Sequence, residues 1–244
     1  GGETETIDTL QVTSPERLDR TIETHMQAFK EKNLQAALSR IVSVVVQPGV
    51  DFSHTAVTQY SKSSAKKLVD QLSKYKDITF EAHSTDYQQT TGLANLVADH
   101  HLFLKVGPEL TFALREALFL LSKIEDELFK DKASNLIQVV FKTMDNNPKD
   151  WINYYHGSSD EQQFLKHYSY SDRIRYYWDH PDVNSAINKM IKNLDNVDIP
   201  EFVISQFFGI ATNEQNNETA RSLIKSRIQY VVGRYYNACG LGRW

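Results

Sequence analysis

RIVSVVV, residues 40–46, is a run of mostly β-branched residues that stops at Gln47-Pro48-Gly49. A short run of this kind reads as a strand buried on both faces. ITFEA (78–82) and HLFLKV (101–106) read as the second and third strands, and they end at His83-Ser84-Thr85-Asp86 and at Gly107-Pro108. Helices are expected from about Ser63 to Lys76 and from about Thr90 to Ala98. Upstream, Ser14-Pro15 is a helix start, with Ser14 as N-cap and Pro15 in the first helical position. Leu18, Ile22, Met26 and Phe29 continue it at helical spacing, and Asn33 ends it. Downstream, Leu110, Leu114, Ala117, Leu118, Leu121, Ile124 and Leu128 form the apolar stripe of a helix reaching about Lys130, with Glu116, Lys123, Asp126 and Lys130 on its other side.

Strands near 41, 78 and 102 thus alternate with helices. Parallel strands need such crossovers, at about 30 residues or more per unit. The fold class is α/β, with a parallel sheet that is either doubly wound or a barrel. Beyond about residue 131 the pattern turns helical, with helices expected at 134–144, 148–154, 172–178, 181–194, 200–208 and 218–238. In the last, Ile224, Ile228, Val231 and Tyr235 share a face and Gly240 is a stop signal. Gly157-Ser158-Ser159-Asp160 and 213–217 read as surface loops. The expected division is 1–130, sheet and helices, and 131–244, helical.

The chain has 244 residues, 41% hydrophobic and 24% charged, the balance of a soluble globular protein with a sizeable core. A net charge of −4 gives no electrostatic reason to expect nucleic acid or a membrane surface. The single cysteine, Cys239, excludes an internal disulfide and a Cys-rich metal site, and it fits a reducing compartment. No apolar run approaches the roughly 20 residues of a bilayer span, and the polar start GGETETIDTL is no signal peptide. The first methionine is Met26, so a processed start or a piece of a longer protein is expected.

Parallel α/β folds place ligand sites at the C-terminal ends of their strands. Here those ends carry His83, Ser84, Thr85, Asp86, Lys105 and Gly107, a set suited to a small anionic substrate. Gly107 allows a phosphate to approach the backbone, the helix after Pro108 offers free N–H groups, and Lys105 adds a point charge. The competing reading is that strand ends need turn residues in any such fold, with Asp86 capping the next helix. His83 is the one candidate metal ligand, although no H-x-x-x-H spacing exists; a hydrogen-bonding role is the alternative for it and for His100 and His101. YSYSDRIRYYW (168–178) concentrates aromatics around Arg173 and Arg175. It reads either as a partner interface including Arg173, Arg175, Tyr176 and Tyr177, or as a docking helix with its aromatics in the core. P-loop, G-x-G-x-x-G and G-x-S-x-G motifs are absent.

VVVQPGVDFSH (44–54), EAHSTDYQ (81–88), LKVGPELTFALREA (104–117), YSYSDRIRYYW (168–178) and IPEFVISQF (199–207) resemble, in order, consecutive blocks of the Z-type, non-catalytic subunit of class II tagatose-bisphosphate aldolases. Members of this family are also described as tagatose-6-phosphate kinases. The resemblance runs across essentially the whole chain. It implies a (β/α)8 barrel with a helical C-terminal region. Gly1-Gly2-Glu3 is similar to the loop after the fifth strand, which would make the three strands the sixth to eighth, with the family's first five absent. Among class II metal-binding positions only His83 would then remain.

The resemblance further implies a cytoplasmic protein, without a cofactor of its own, that supports a separate zinc-dependent catalytic subunit in galactitol or N-acetylgalactosamine breakdown. The alternative is a phosphosugar enzyme in its own right, a tagatose-6-phosphate kinase or an aldolase. A third reading is an inert fragment of such a protein. Three parallel strands with two open edges lead to the further expectation that this chain alone self-associates or is poorly soluble.

Overall fold

The computed structural model describes residues 10–209 and 219–242; the loop expected at 213–217 and the start Gly1-Gly2-Glu3 lie outside them. Along the chain the elements are α1 (Pro15–Glu31), β1 (Ser43–Val46), β2 (Asp51–Phe52), β3 (Val57–Thr58), α2 (Lys62–Gln71), β4 (Thr79–Ala82), α3 (Thr90–Ala98), β5 (His101–Leu104) and α4 (Pro108–Phe129). Then follow α5 (Leu136–Asn146), α6 (Ser159–Tyr168), α7 (Pro181–Leu194), α8 (Glu201–Phe208) and α9 (Ala220–Ala238). The chain divides into two compact units, Gly1–Gly107 with Gly233–Trp244, and Pro108–Val232.

The first unit is α/β. Its sheet is parallel and three-stranded in the order β1-β4-β5. A full barrel is not seen among the described residues; the parallel sheet found there has these three strands. Pairing aligns Val44, Phe80 and His101 across the sheet, and then Val46, Ala82 and Leu104. This face carries the core: Leu18 and Ile22 of α1, Leu68 of α2 and Leu72 just after it meet Val46 and Phe80, while Val50, Tyr60, Ala65 and Leu96 surround Ala82. Each fully buried Val, Leu, Ile or Phe side chain among these contributes roughly 1.5–3 kcal/mol. The opposite face aligns Val45, Glu81 and Phe103, and there Val45 and Phe103 remain about half exposed, at 53% and 47%. A bulge skips Leu102, since Phe80 pairs with His101 and Glu81 with Phe103.

α1 begins as its sequence dictates: Ser14 Oγ accepts from Arg17 N–H, and Pro15 opens the helix. Asn33, in the left-handed region at φ 56°, follows its end. α2 is shorter than expected and tightens into a 3-10 turn at Leu72–Lys74. His100 lies in a left-handed turn before β5. The antiparallel hairpin β2–β3 was not foreseen, because two-residue strands are too short for periodicity to register.

The second unit is helical. Leu118, Leu121 and Ile124 of α4 share a core with Leu136, Val140 and Met144 of α5, Val183, Met190 and Leu194 of α7, and Ile204 of α8. Glu125, fully buried, ties these helices together: it accepts from Ser134 N–H at 2.9 Å, Ser134 Oγ at 2.5 Å and Asn193 Nδ2 at 2.6 Å. Two expected helices take another form. The 148–154 stretch is a 3-10 turn at Pro148–Asp150 followed by turns. The 172–178 stretch is a 3-10 segment, Arg173–Tyr177, entered through Asp172 at φ 48°.

Candidate functional site

The strand ends of the first unit are built mainly from side chains bonding to backbone. After β1, Gln47 Oε1 accepts from Gly49 N–H (2.8 Å) and Val50 N–H (3.0 Å). Gly49 has φ 93°, which favours glycine, and a Cβ there would also sit tightly, 3.2 Å from the Val12 side chain. Asp51 Oδ1 accepts from Phe52 N–H at 2.9 Å, and Ser53 Oγ accepts from the N–H groups of Thr55 and Ala56. These bonds shape the β2–β3 hairpin.

After β4 the chain passes through two left-handed residues, Ser84 (φ 55°) and Tyr87 (φ 61°), which cost conformational energy unless their surroundings fix them. Those surroundings do fix them. Thr85 donates its N–H (3.2 Å) and its hydroxyl (2.8 Å) to the Lys105 carbonyl. Asp86 Oδ1 accepts from Gly107 N–H at 2.8 Å. Gln88, fully buried, accepts from Tyr60 N–H and donates to the Thr58 carbonyl, both at 2.8 Å. The Tyr87 ring packs edge-on against Phe52, centroids 5.3 Å apart. From the end of α9, Tyr235 Oη donates to the Thr85 carbonyl at 2.7 Å, and Arg234 donates to the Gln88 carbonyl.

The structure therefore brings Thr85 to Lys105 and Asp86 to Gly107. Ser84, Thr85 and Asp86 are buried, whereas Lys105 and Gly107 are exposed. The Gly107 N–H is already bonded, and space beside its Cα is open. Asp86 joins two strand-end loops, and α3 starts at Gln89 without a side-chain cap. His83 lies apart from this group, its Nε2 2.7 Å from Glu81 Oε1. Among the described residues no group of three or more His, Cys, Asp or Glu side chains is placed to hold a metal ion. Gln88 and Arg234 escaped the sequence reading as parts of this site, because no motif marks a side chain whose partners are backbone groups far along the chain.

His101 lies on the core face of β5. It is fully buried between the Phe80 and Tyr60 rings, centroids 5.0 and 5.9 Å away. Nδ1 bonds the Leu96 carbonyl at 3.1 Å, while Nε2 has no partner among the described residues. Burial lowers its pKa from 6.5 to about 4. The unfolded chain thus takes up a proton below pH 6.5 that the folded chain refuses until about pH 4. Stability on this account is complete above pH 6.5 and is lost as pH falls towards 4. His101→Gln is expected to flatten that part of the urea-midpoint profile against pH; an unchanged slope would assign it to other groups.

In the second unit, Arg173 and Tyr177 are buried. The Arg173 guanidinium stacks 3.3 Å from the Tyr154 ring centroid and donates to the Asp150 carbonyl. Tyr177 Oη donates to the Asn147 carbonyl at 2.5 Å. Arg175 is half-buried over Tyr176, which is 49% exposed. Of these four residues, Arg175 and Tyr176 are the ones that solvent reaches.

Two comparisons bear on the chain. The family model described as D-tagatose-1,6-bisphosphate aldolase subunit GatZ/KbaZ-like matches residues 1–240. A solved structure of a probable tagatose 6-phosphate kinase from Sinorhizobium meliloti 1021 superposes with a TM-score of 0.91 at 43% identity. That match covers 94% of this chain, which spans 61% of the length of the other.

Proposed function

The chain belongs to the D-tagatose-1,6-bisphosphate aldolase subunit GatZ/KbaZ-like family, and from that premise we propose that it serves such an aldolase as a non-catalytic subunit. Its role in this reading is to bind and stabilise a separate, zinc-dependent catalytic subunit that cleaves tagatose 1,6-bisphosphate in galactitol or N-acetylgalactosamine breakdown. The observation that carries the reading is how the strand ends use their polar groups. Thr85, Asp86 and Gln88 hold neighbouring loops to one another, which is the work of a scaffold. A cytoplasmic location accompanies the proposal; among the described residues no helix is long and apolar enough to cross a membrane.

The same proposal makes β1, β4 and β5 part of a (β/α)8 barrel, as strands six to eight. Support comes from the sheet, which carries helices on one face and presents Val45, Glu81 and Phe103 on the other. In a barrel that second face would point inward. Arg175 and Tyr176 are the proposed contact with the catalytic subunit, because an arginine on an exposed aromatic ring suits an interface.

The test is aldolase activity and thermal stability of the catalytic subunit with and without this protein. Bound protein is expected to raise both, the stabilisation reaching about 2.7 kcal/mol at a hundredfold excess over Kd. The protein alone is expected to turn over neither tagatose 1,6-bisphosphate nor tagatose 6-phosphate with ATP. An unaffected catalytic subunit would sink the reading. A second reading, a phosphosugar kinase or aldolase, draws on the description of the Sinorhizobium meliloti structure and on the exposed Lys105 beside the strand ends. Turnover by the protein alone, lost on Lys105→Ala, would establish it.

A further inference from the structure

Helix α6 lies with aromatic residues turned outward. It buries Lys166, 5% exposed, against Asp145 Oδ1 at 2.5 Å and over the Trp151 ring at 4.4 Å. Phe164 and Tyr168 meanwhile stay 61% and 59% exposed. These two stand one turn apart on one face, and their ring centroids are 5.0 Å from each other, so they form a continuous aromatic ridge. His167, stacked 3.5 Å from Phe141, and the buried Lys166 hold the helix in this orientation. Beside the ridge is a groove of about 480 Å³ whose walls include Tyr168 itself with Phe112, Phe119, Leu120 and Phe207. Two charges on its wall are matched, Glu116 being held by Arg227 at 2.6 Å. Isolated exposed apolar residues are ordinary, but an aromatic ridge that adjoins an apolar groove marks an interaction surface.

We infer that this face is a dimerisation surface whose occupant is a second copy of the same chain. One surface supplies both halves of the contact: a projecting ring, Phe164, and an apolar hole that begins at Tyr168, four residues or about 6 Å along the helix. A two-fold axis passing between Phe164 and Tyr168 sets α6 of the two copies side by side and antiparallel. Each Phe164 then enters the groove of the other copy, and both contacts close at once. The groove is large enough, since a cavity of roughly 150 Å³ already holds a benzene ring. A foreign partner would have to bring a matching ring and hole of its own, and the paired Glu116 and Arg227 offer no net charge to select a charged one. Area sets the strength. An aromatic side chain presents roughly 150–250 Å², so at these exposures the two rings offer about 180–300 Å² per copy. A standard interface takes about 800 Å² per partner, so the dimer is weak and forms as concentration rises. The surface is built within residues 108–232 and does not rest on the aldolase proposal.

The experiment is sedimentation velocity on the whole protein from about 1 to 300 µM. Wild type is expected to pass from monomer to dimer across this range. Phe164→Ser removes two buried rings per dimer and is expected to weaken association at least about a hundredfold. The ring is exposed in the monomer, so the urea midpoint should stay where it was. Leu120→Trp fills the groove and is expected to weaken association at least about tenfold. Val45→Ser, on the open sheet face, is expected to leave the dimer unchanged. If wild type forms larger species through that face, the comparison is made in the Val45→Ser background, where Phe164→Ser must still dissociate the dimer. Monomer throughout the range would overturn the inference, and so would a dimer unweakened by Phe164→Ser or Leu120→Trp. Dissociation by Val45→Ser alone would overturn it by placing the association on the sheet. A monomer that binds the catalytic subunit and loses it on Phe164→Ser would overturn it by giving the face to that partner.

Discussion

Asp172→Ala is expected to cost about 3–5 kcal/mol, because it leaves the Arg115 charge buried without its anion. Both side chains are almost completely inaccessible, and alanine removes the acceptors of Arg115 and Thr111 together. Burial outweighs the guanidinium and lifts the Asp172 carboxyl above the ordinary range. Keeping the pair is therefore costly, but breaking it costs more, since Arg115 cannot shed its proton. Alanine also has to enter the left-handed region at φ 48°, which aspartate and asparagine tolerate better. Asp172→Asn should accordingly lose much less, and Arg115→Met/Asp172→Asn should come close to wild type. Urea denaturation of the four proteins checks the order. A wild-type midpoint for Asp172→Ala would mean that the pair is not closed to water in solution.

Gln88→Leu is expected to cost about 2–6 kcal/mol. Leucine matches the volume but leaves Tyr60 N–H and the Thr58 carbonyl without their partner, at about 1–3 kcal/mol for each unmet buried group. Gln88→Glu keeps the acceptor for Tyr60 and loses the donor for Thr58, so it should fall between the two. Amide exchange localises the effect: protection of Tyr60 N–H and of the Thr85 and Gly107 amides should drop in the leucine variant. Loss at Tyr60 alone would show that the hairpin and the β4 loop are secured separately.

The three parallel strands were legible because each is a short run with Gly, Pro or Ser-Thr-Asp behind it, and α1 because Ser14-Pro15 encodes a helix start directly. Most of the late helices were legible from spacing alone. What escaped depends on partners far along the chain. Asp172 in YSYSDRIRYYW looks like an ordinary helical residue, and only Thr111 and Arg115, some 60 positions away, reveal why it is left-handed and buried. Arg173 read as a candidate partner-interface residue, but Tyr154 and the Asp150 carbonyl take it inside. At the strand ends, the residues Thr85, Asp86, Lys105 and Gly107 could be named from turn chemistry. That they bond to one another is a matter of register between β4 and β5, and composition does not encode register.

The bond from Tyr235 Oη to the Thr85 carbonyl spans 150 residues. During synthesis, at roughly 5–20 residues per second, the β4 loop leaves the ribosome about 8–30 s before the residue that closes over it. For that interval Ser84 and Tyr87 are without one of the constraints that hold them in their left-handed conformations. The earlier part of the first unit can assemble while its loop is still open, and the arrival of α9 is the step that shuts it. A nascent chain stalled before residue 234 should then show proteolytic cleavage within 84–88 that the released protein resists.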